Sequence, residues 1–145
     1  TSLAEAYLSQ DRSDEAIHQY ELLNSQQPNN PMVLNNLAWL YLDRGDARAV
    51  PYAEEAYALA PKRIAISDTL GWVLTNRGDP QRGLALLKEA AARAPRDPQI
   101  RYHFAVALYS NGQEVNAKRE LHSLLKDNPN FPDNAEARAL LSHLE

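Results

Sequence analysis

Apolar residues recur along this chain at the i, i+3, i+4 spacing that gathers them on one face of a helix. The pattern is clearest in residues 35–43, 68–76 and 102–110. Each of these segments runs into a glycine, at Gly45, Gly78 and Gly112, as a left-handed residue closing a helix requires. A second helical stretch follows, for example over 81–93, and a proline just beyond it prevents continuation. The predicted module is helix, tight turn, helix, loop.

The module repeats. Pro28, Pro61, Pro95 and Pro129 are spaced 33, 34 and 34 residues apart, and Gly45, Gly78 and Gly112 are spaced 33 and 34 apart. A large apolar residue followed by a small one recurs in step with them, at Leu3-Ala4, Leu37-Ala38, Leu70-Gly71 and Phe104-Ala105. Three independent markers sharing one period define a repeat array. The units run 1–30 (truncated), 31–63, 64–97 and 98–131, and 132–145 reads as a closing helix. In that last helix Ala135, Ala139, Leu140 and Leu144 are expected to pack inward, with Glu136, Arg138 and His143 facing water. An open stack exposes apolar surface at its end, which a half-polar helix covers. The first unit begins in mid-helix without such cover, so the chain reads as part of something longer, with upstream repeats missing.

Composition sharpens this picture in four ways. Ala and Leu dominate the apolar residues and β-branched ones are few, which favours helix over sheet. The net charge is −4 and the 15 basic residues are scattered, so the chain lacks the basic surface that nucleic acid demands. No apolar run approaches the roughly 18 residues of a membrane span, so no membrane insertion is expected from this segment. The cysteine count of 0 removes disulfides, thiol nucleophiles and thiolate metal sites.

These repeats resemble the tetratricopeptide repeat, a 34-residue helix pair. Its signature of a large apolar residue, Leu-Gly or Leu-Ala, and then small, aromatic or Leu, small and Pro positions appears as Leu70, Gly71, Leu74, Gly78, Gly83, Leu87, Ala90 and Pro95. It appears again as Phe104, Ala105, Leu108, Gly112, Ala117, Leu121, Leu124 and Pro129. The second unit carries Leu37, Ala38, Tyr41, Gly45 and Pro61, one residue short after the glycine, with Ala49, Ala53 and Ala56 then in register. The first carries Leu3, Ala4, Tyr7, Ala16, Tyr20, Leu23 and Pro28. The family's early Trp is replaced by Leu34, Ser67 and Arg101, and Leu23 and Leu124 are larger than the usual Ala. The resemblance implies an all-α fold, a right-handed helical solenoid of antiparallel helix pairs with a C-terminal capping helix. It also implies protein binding in a concave groove.

Four runs resemble a narrower group, the C-terminal repeats of bacterial exosortase/PEP-CTERM-system lipoproteins. They are residues 35–42 (NNLAWLYL), 67–74 (SDTLGWVL), 100–108 (IRYHFAVAL) and 130–137 (NFPDNAEA). That resemblance implies a role in exopolysaccharide export and envelope protein sorting. It places the chain in the periplasm or at an envelope membrane surface, with the cytoplasm as the alternative.

In such arrays the first helix of each unit lines the groove. Residues at unit positions 2, 5, 9 and 12 share one helix face, because 3, 4 and then 3 steps return to nearly the same angle (about 100° per residue), with Met32, Ala65 and Gln99 at position 2. The predicted groove therefore comprises Asn35, Trp39 and Leu42, then Asp68, Trp72 and Thr75 with Asn76 beside them, then Tyr102, Val106 and Tyr109. Asn36, Thr69 and His103 flank this line. Aromatic rings supply contact area at low entropic cost, and amides fix a peptide backbone. The competing reading is that Trp39 and Trp72 pack between neighbouring units and that Asp68 caps a helix start. The Lys/Arg set with which some repeats of the family capture a C-terminal carboxylate is missing at these positions, which disfavours that mode.

The four histidines, His18, His103, His122 and His143, lie in different helices without the i, i+4 spacing of a helical metal site. No nucleophile elbow, phosphate-cradling loop or paired-carboxylate motif appears, so neither an enzyme nor a cofactor is expected. The leading expectation is a non-catalytic scaffold that holds a segment of another protein. The alternatives are an exopolysaccharide-binding module, whose tryptophans stack on sugar rings, and a purely structural spacer.

Overall fold

The computed structural model describes the backbone from Leu3 and the side chains from Arg12 to Glu145. Among the described residues the elements are eight helices with no strand: α1 (Leu3–Gln26), α2 (Pro31–Asp43), α3 (Ala49–Leu59), α4 (Ile64–Asn76), α5 (Pro80–Arg93), α6 (Pro98–Ser110), α7 (Glu114–Asp127) and α8 (Asn134–Leu144). The expected all-α architecture of helix pairs with a closing helix is thus what the chain adopts. The first-unit signature residues Leu3, Ala4 and Tyr7 lie outside the described side chains.

Local chemistry explains the helix ends. Prolines open α2, α5 and α6, where the first turn needs no N–H. The side chains before them close the free amides: Asn30 accepts from Met32 and Val33 at 3.0 and 3.3 Å, and Asp97 from Gln99 and Ile100 at 2.9 and 3.2 Å. Asp79 does the same for Arg82 at 3.1 Å. At the other end of the first helices, Gly45, Gly78 and Gly112 hold φ of 67°, 103° and 77°. After Gly45 the chain closes with paired bonds, Asp46 N–H to Tyr41 C=O and Gly45 N–H to Leu42 C=O, both at 2.9 Å. Gln113 and Gly112 repeat the motif on Leu108 and Tyr109 at 2.9 and 3.0 Å.

The first repeat departs from the module. Where a helix, a turn and a second helix are expected, α1 runs unbroken for 24 residues. Counting from Leu3 as Gly45 counts from Leu37, the glycine's place falls to Asp11, and no glycine or proline occurs anywhere in α1. Nothing there supplies a left-handed residue to end the first helix.

The chain divides into two compact units, one ending at Thr69 and the other running from Leu70 to Glu145. In the first, α2 packs against α1 and α3. Ala49, Ala53 and Ala56 present a small-residue seam that is fully buried, and Leu34, Ala56 and Ile66 form a core flanked by Tyr52 and Tyr57. Glu21 on α1 binds this unit together by accepting from Tyr41 on α2 at 2.8 Å and from Tyr52 on α3 at 2.7 Å. The two phenol rings stack at 5.6 Å, and the Arg48 guanidinium lies 4.5 Å from the centre of the Tyr41 ring. Burial, and after it the hydrogen bond and charge of Glu21, raises both phenols above the usual 10.0.

In the second unit α6 packs against α5 and α7, and α7 against α8. Helices α4 and α5 cross almost backbone to backbone, at Gly71 and Gly83. A Cβ on Gly83 would stand 2.5 Å from Thr75 Oγ1 and 2.8 Å from the Gly71 carbonyl. The core here is Ala105, Leu121, Leu124, Leu125, Phe131 and Ala137, with Tyr102, Leu140, Leu141 and Leu144 packed on it. Leu124, where the family usually carries Ala, is fully buried, whereas Leu23 at the matching place in α1 is 40% exposed. The inward face of α8 also differs from expectation. Ala135 and Ala139 are exposed, and the buried stripe is Ala137, Leu140, Leu141 and Leu144. That stripe follows the i, i+3, i+4, i+7 spacing and gathers the larger residues. His122 on α7 pairs with Glu145 at 2.8 Å.

Candidate partner-binding face

In the first unit the expected line is mostly enclosed. Asn35 is 5% exposed and Asp68 8% exposed, so neither is a surface group. Asp68 is the fifth residue of α4 and does not cap its start. The Asn35 side-chain oxygen is buried without a hydrogen-bond partner among the described residues. Trp39 is half-buried, and its indole N–H donates to the Thr69 hydroxyl at 2.8 Å. That hydroxyl in turn donates to the Ala65 carbonyl at 2.8 Å, so the contact is fixed at both ends. Leu42 is half-buried beside it.

In the second unit the line is more open. Trp72, Thr75, Tyr102, Val106 and Tyr109 are half-buried and Asn76 is exposed. The Thr75 hydroxyl and the Asn76 amide are used locally, donating to the carbonyls of Gly71 at 2.7 Å and Trp72 at 2.8 Å. One face of Trp72 stacks on His103 at 4.1 Å with the rings 19° apart. Tyr102 tilts against Trp72 and Phe131, with centroids 6.0 and 6.1 Å away. Burial, helped by the charges of Asp133 and Glu136, raises its phenol above the usual value. Tyr109 meets His143 of α8 edge-on at 6.1 Å, with its hydroxyl 3.3 Å from Nε2.

His103 is 1% exposed. Its Nε2 lies 3.1 Å from the Gln99 amide nitrogen, which also donates to Asp133 at 2.6 Å. Two N–H groups of one amide thus serve two acceptors when Nε2 accepts. The residues that position the tryptophans, Thr69 and His103, flank the expected line in sequence but were not assigned this part. The available signal was the register: the tryptophan of one repeat meets the sixth residue of the next.

Three hollows in the structure have other linings. One of about 580 Å³ is lined by the turn before α2, from Gln27 to Met32, with Arg63. Two more lie beside α5 and α7 in the second unit. None of the three is lined by Trp39, Trp72, Tyr102 or Tyr109. Among the described residues no group of three or more His, Asp or Glu could hold a metal ion. No described helix is long and apolar enough to cross a membrane.

Helix pairs with small-residue seams and glycine-closed first helices define an all-α repeat protein. Tetratricopeptide repeat family models match residues 1–64 and 74–144. The chain belongs to the tetratricopeptide repeat family. It is 28% identical over 132 residues to the cellulose synthase operon protein C of Komagataeibacter sucrofermentans, covering 88% of this chain and 10% of that protein. It is 26% identical over 145 residues to the cellulose synthase 1 operon protein C of Komagataeibacter xylinus, covering 97% and 11%. The chain therefore spans about a tenth of the length of these relatives. Among solved structures, a thermophilic TPR protein of Thermus thermophilus superposes with a TM-score of 0.74 at 21% identity, covering 98% of this chain and 77% of that one. MamA of Desulfovibrio magneticus superposes at 0.72 with 18% identity, covering 98% and 89%. These superpositions are likenesses of fold.

Proposed function

We propose that this chain is a non-catalytic scaffold that binds a segment of another protein on the face of its first helices. The observation that carries the reading is the row Trp72, Tyr102, Val106 and Tyr109. Each is half-buried, so one side is held by neighbours while the other offers apolar area in a fixed orientation. Pre-positioned rings lose little entropy on binding, which is why aromatics dominate binding hot spots. Trp39 and Leu42 offer the same on the first unit, framed by the enclosed Asn35 and Asp68. The repeat boundaries 31–63, 64–97 and 98–131 are read on the same basis, each unit contributing one first helix.

The setting we favour is exopolysaccharide export or envelope protein sorting. Similarity to cellulose synthase operon proteins supports the first, and the resemblance to exosortase/PEP-CTERM lipoproteins supports both. Their setting would place the chain in the periplasm or at an envelope membrane surface. The test is partner capture with surface variants. Val106→Asp with Tyr109→Ala is expected to weaken capture at least about tenfold, equivalent to about 1.4 kcal/mol, with helical circular dichroism retained. Undiminished capture would remove the first-helix face from consideration. Trp72→Ala is a poorer test, because losing the stack on His103 also costs stability.

A second reading, carbohydrate binding through the same rings, is favoured by the operon named for the relatives. Calorimetry against cellulose oligosaccharides separates the two. Heat that disappears in Tyr109→Ala supports the sugar, and its absence beside intact protein capture supports the scaffold.

A further inference from the structure

The second helices of the unit from Leu70 to Glu145 carry a feature that the first-helix reading does not use. Two adjoining hollows, of about 450 and 200 Å³, lie along α5 and α7 and share Lys88, Phe104 and Glu120 as lining. The smaller is the more enclosed, with Leu84 and Leu108 beside the Phe104 ring. Phe104 stands at the repeat position of Leu37 and Leu70, both of which are sealed at 0% exposure, yet Phe104 itself is only half-buried. The same hollow is lined on α5 by Ala91 and Ala92, which are too small to cover a phenyl ring.

The rim is cationic. Lys88, Arg96 and Arg119 are exposed and make no ion pair or side-chain hydrogen bond among the described residues. Arg101, in the same wall, is already engaged by Asp127 at 3.1 Å and Ser123 at 2.9 Å. Glu120 of α7 is then the remaining acid set against three cations, in a chain whose net charge is −4. An apolar slot of this size takes one large side chain, and an uncompensated basic rim selects acidic neighbours for it.

We infer that the α5/α7 face is a second docking site, for an acidic peptide segment that inserts one large apolar side chain beside Phe104. Its carboxylates meet Lys88 and Arg119. The Gln113 and Asn116 amides in the slot wall bond each other, Asn116 N–H to Gln113 C=O at 3.1 Å, which leaves the Gln113 N–H groups and the Asn116 oxygen for its backbone. Rim charges act mainly on association and salt dependence, and the inserted side chain supplies the residence time.

Fluorescence anisotropy with the 145-residue chain tests this, using as probe a labelled Asp/Glu-rich peptide with a single central Phe. Saturable binding is expected that weakens with added salt, falls at least about tenfold in Lys88→Glu with Arg119→Glu, and is lost when the central Phe is replaced by Ala. Both substituted residues are exposed, so circular dichroism should be unchanged. Equal binding by the charge-reversed chain, equal binding of the Ala-centred peptide or no saturable binding would each overturn the inference. So would loss of binding in Tyr109→Ala alone, which would move the peptide to the first-helix face. Light scattering that showed the probe displacing a second copy of the chain would likewise assign the slot to self-association.

Discussion

Two aromatic residues of the first helices, Trp39 and Trp72, serve as joints. Trp39 reaches Thr69 through its N–H, and Trp72 lies flat on His103, each tying one repeat's first helix to the next. Removing the acceptor with a side chain of the same shape, Thr69→Val, should cost about 1–3 kcal/mol in urea unfolding, because the indole N–H is left unpaired. A change near zero would mean that the Thr69 contact is incidental. Tyr41 and Tyr52 make a different joint, through Glu21. Both phenols are raised in the folded state, so folding favours their neutral form. The stability they contribute is fully present below the ordinary value of 10.0 and is lost as pH climbs past it. Alkaline titration should therefore show phenolate absorbance from these two rings at higher pH than from an ordinary tyrosine. In Glu21→Gln, which keeps an acceptor and removes the charge, phenolate should appear at lower pH than in the parent chain.

At the scale of the element, glycine does two separate jobs. At Gly112 a positive φ of 77° closes the helix, and a Cβ would meet nothing within 4 Å. Gly112→Ala should cost about 1–2 kcal/mol from backbone strain alone. At Gly83 the φ is helical and the constraint is space, since α4 passes too close for a methyl group. Alanine is the better helix former by about 1 kcal/mol, yet overpacking costs about 1–3 kcal/mol, so Gly83→Ala should be destabilising on balance. Thermal unfolding of the two variants checks both predictions. A stabilised Gly83→Ala chain would mean that the crossing relaxes without cost. The same logic explains α1, which lacks the closing glycine and continues as one helix.

For the molecule as a whole, the alternation of buried seams and polar faces is that of a repeat protein held together by nearest neighbours. The end of the stack shows this most simply. Leu140, Leu141 and Leu144 of α8 pack on the cluster of Leu121, Leu125 and Phe131. Fully burying such a side chain is worth roughly 1.5–3 kcal/mol, and partial burial proportionally less. Deleting residues 134–145 should lower the unfolding midpoint and make the protein bind an apolar dye. A truncated chain as stable and dye-free as the parent would show that α8 is dispensable.

From Pro31 onward, sequence alone determined the helix pairs, their period and their ends. Each depends on local rules, the left-handed glycine, the helix-stopping proline and the 3.6-residue apolar stripe, that act over a few residues. It also placed the row of Trp72, Tyr102, Val106 and Tyr109 on first helices. Tertiary structure alone decided which of the named groups remain accessible. Asn35, Asp68 and His103 share the helix faces expected of a groove, yet they are enclosed, because burial depends on what the adjacent repeat places opposite them. The half-open ring of Phe104 arises in the same way: only the fold brings Ala91 and Ala92 across from it and leaves the slot unfilled.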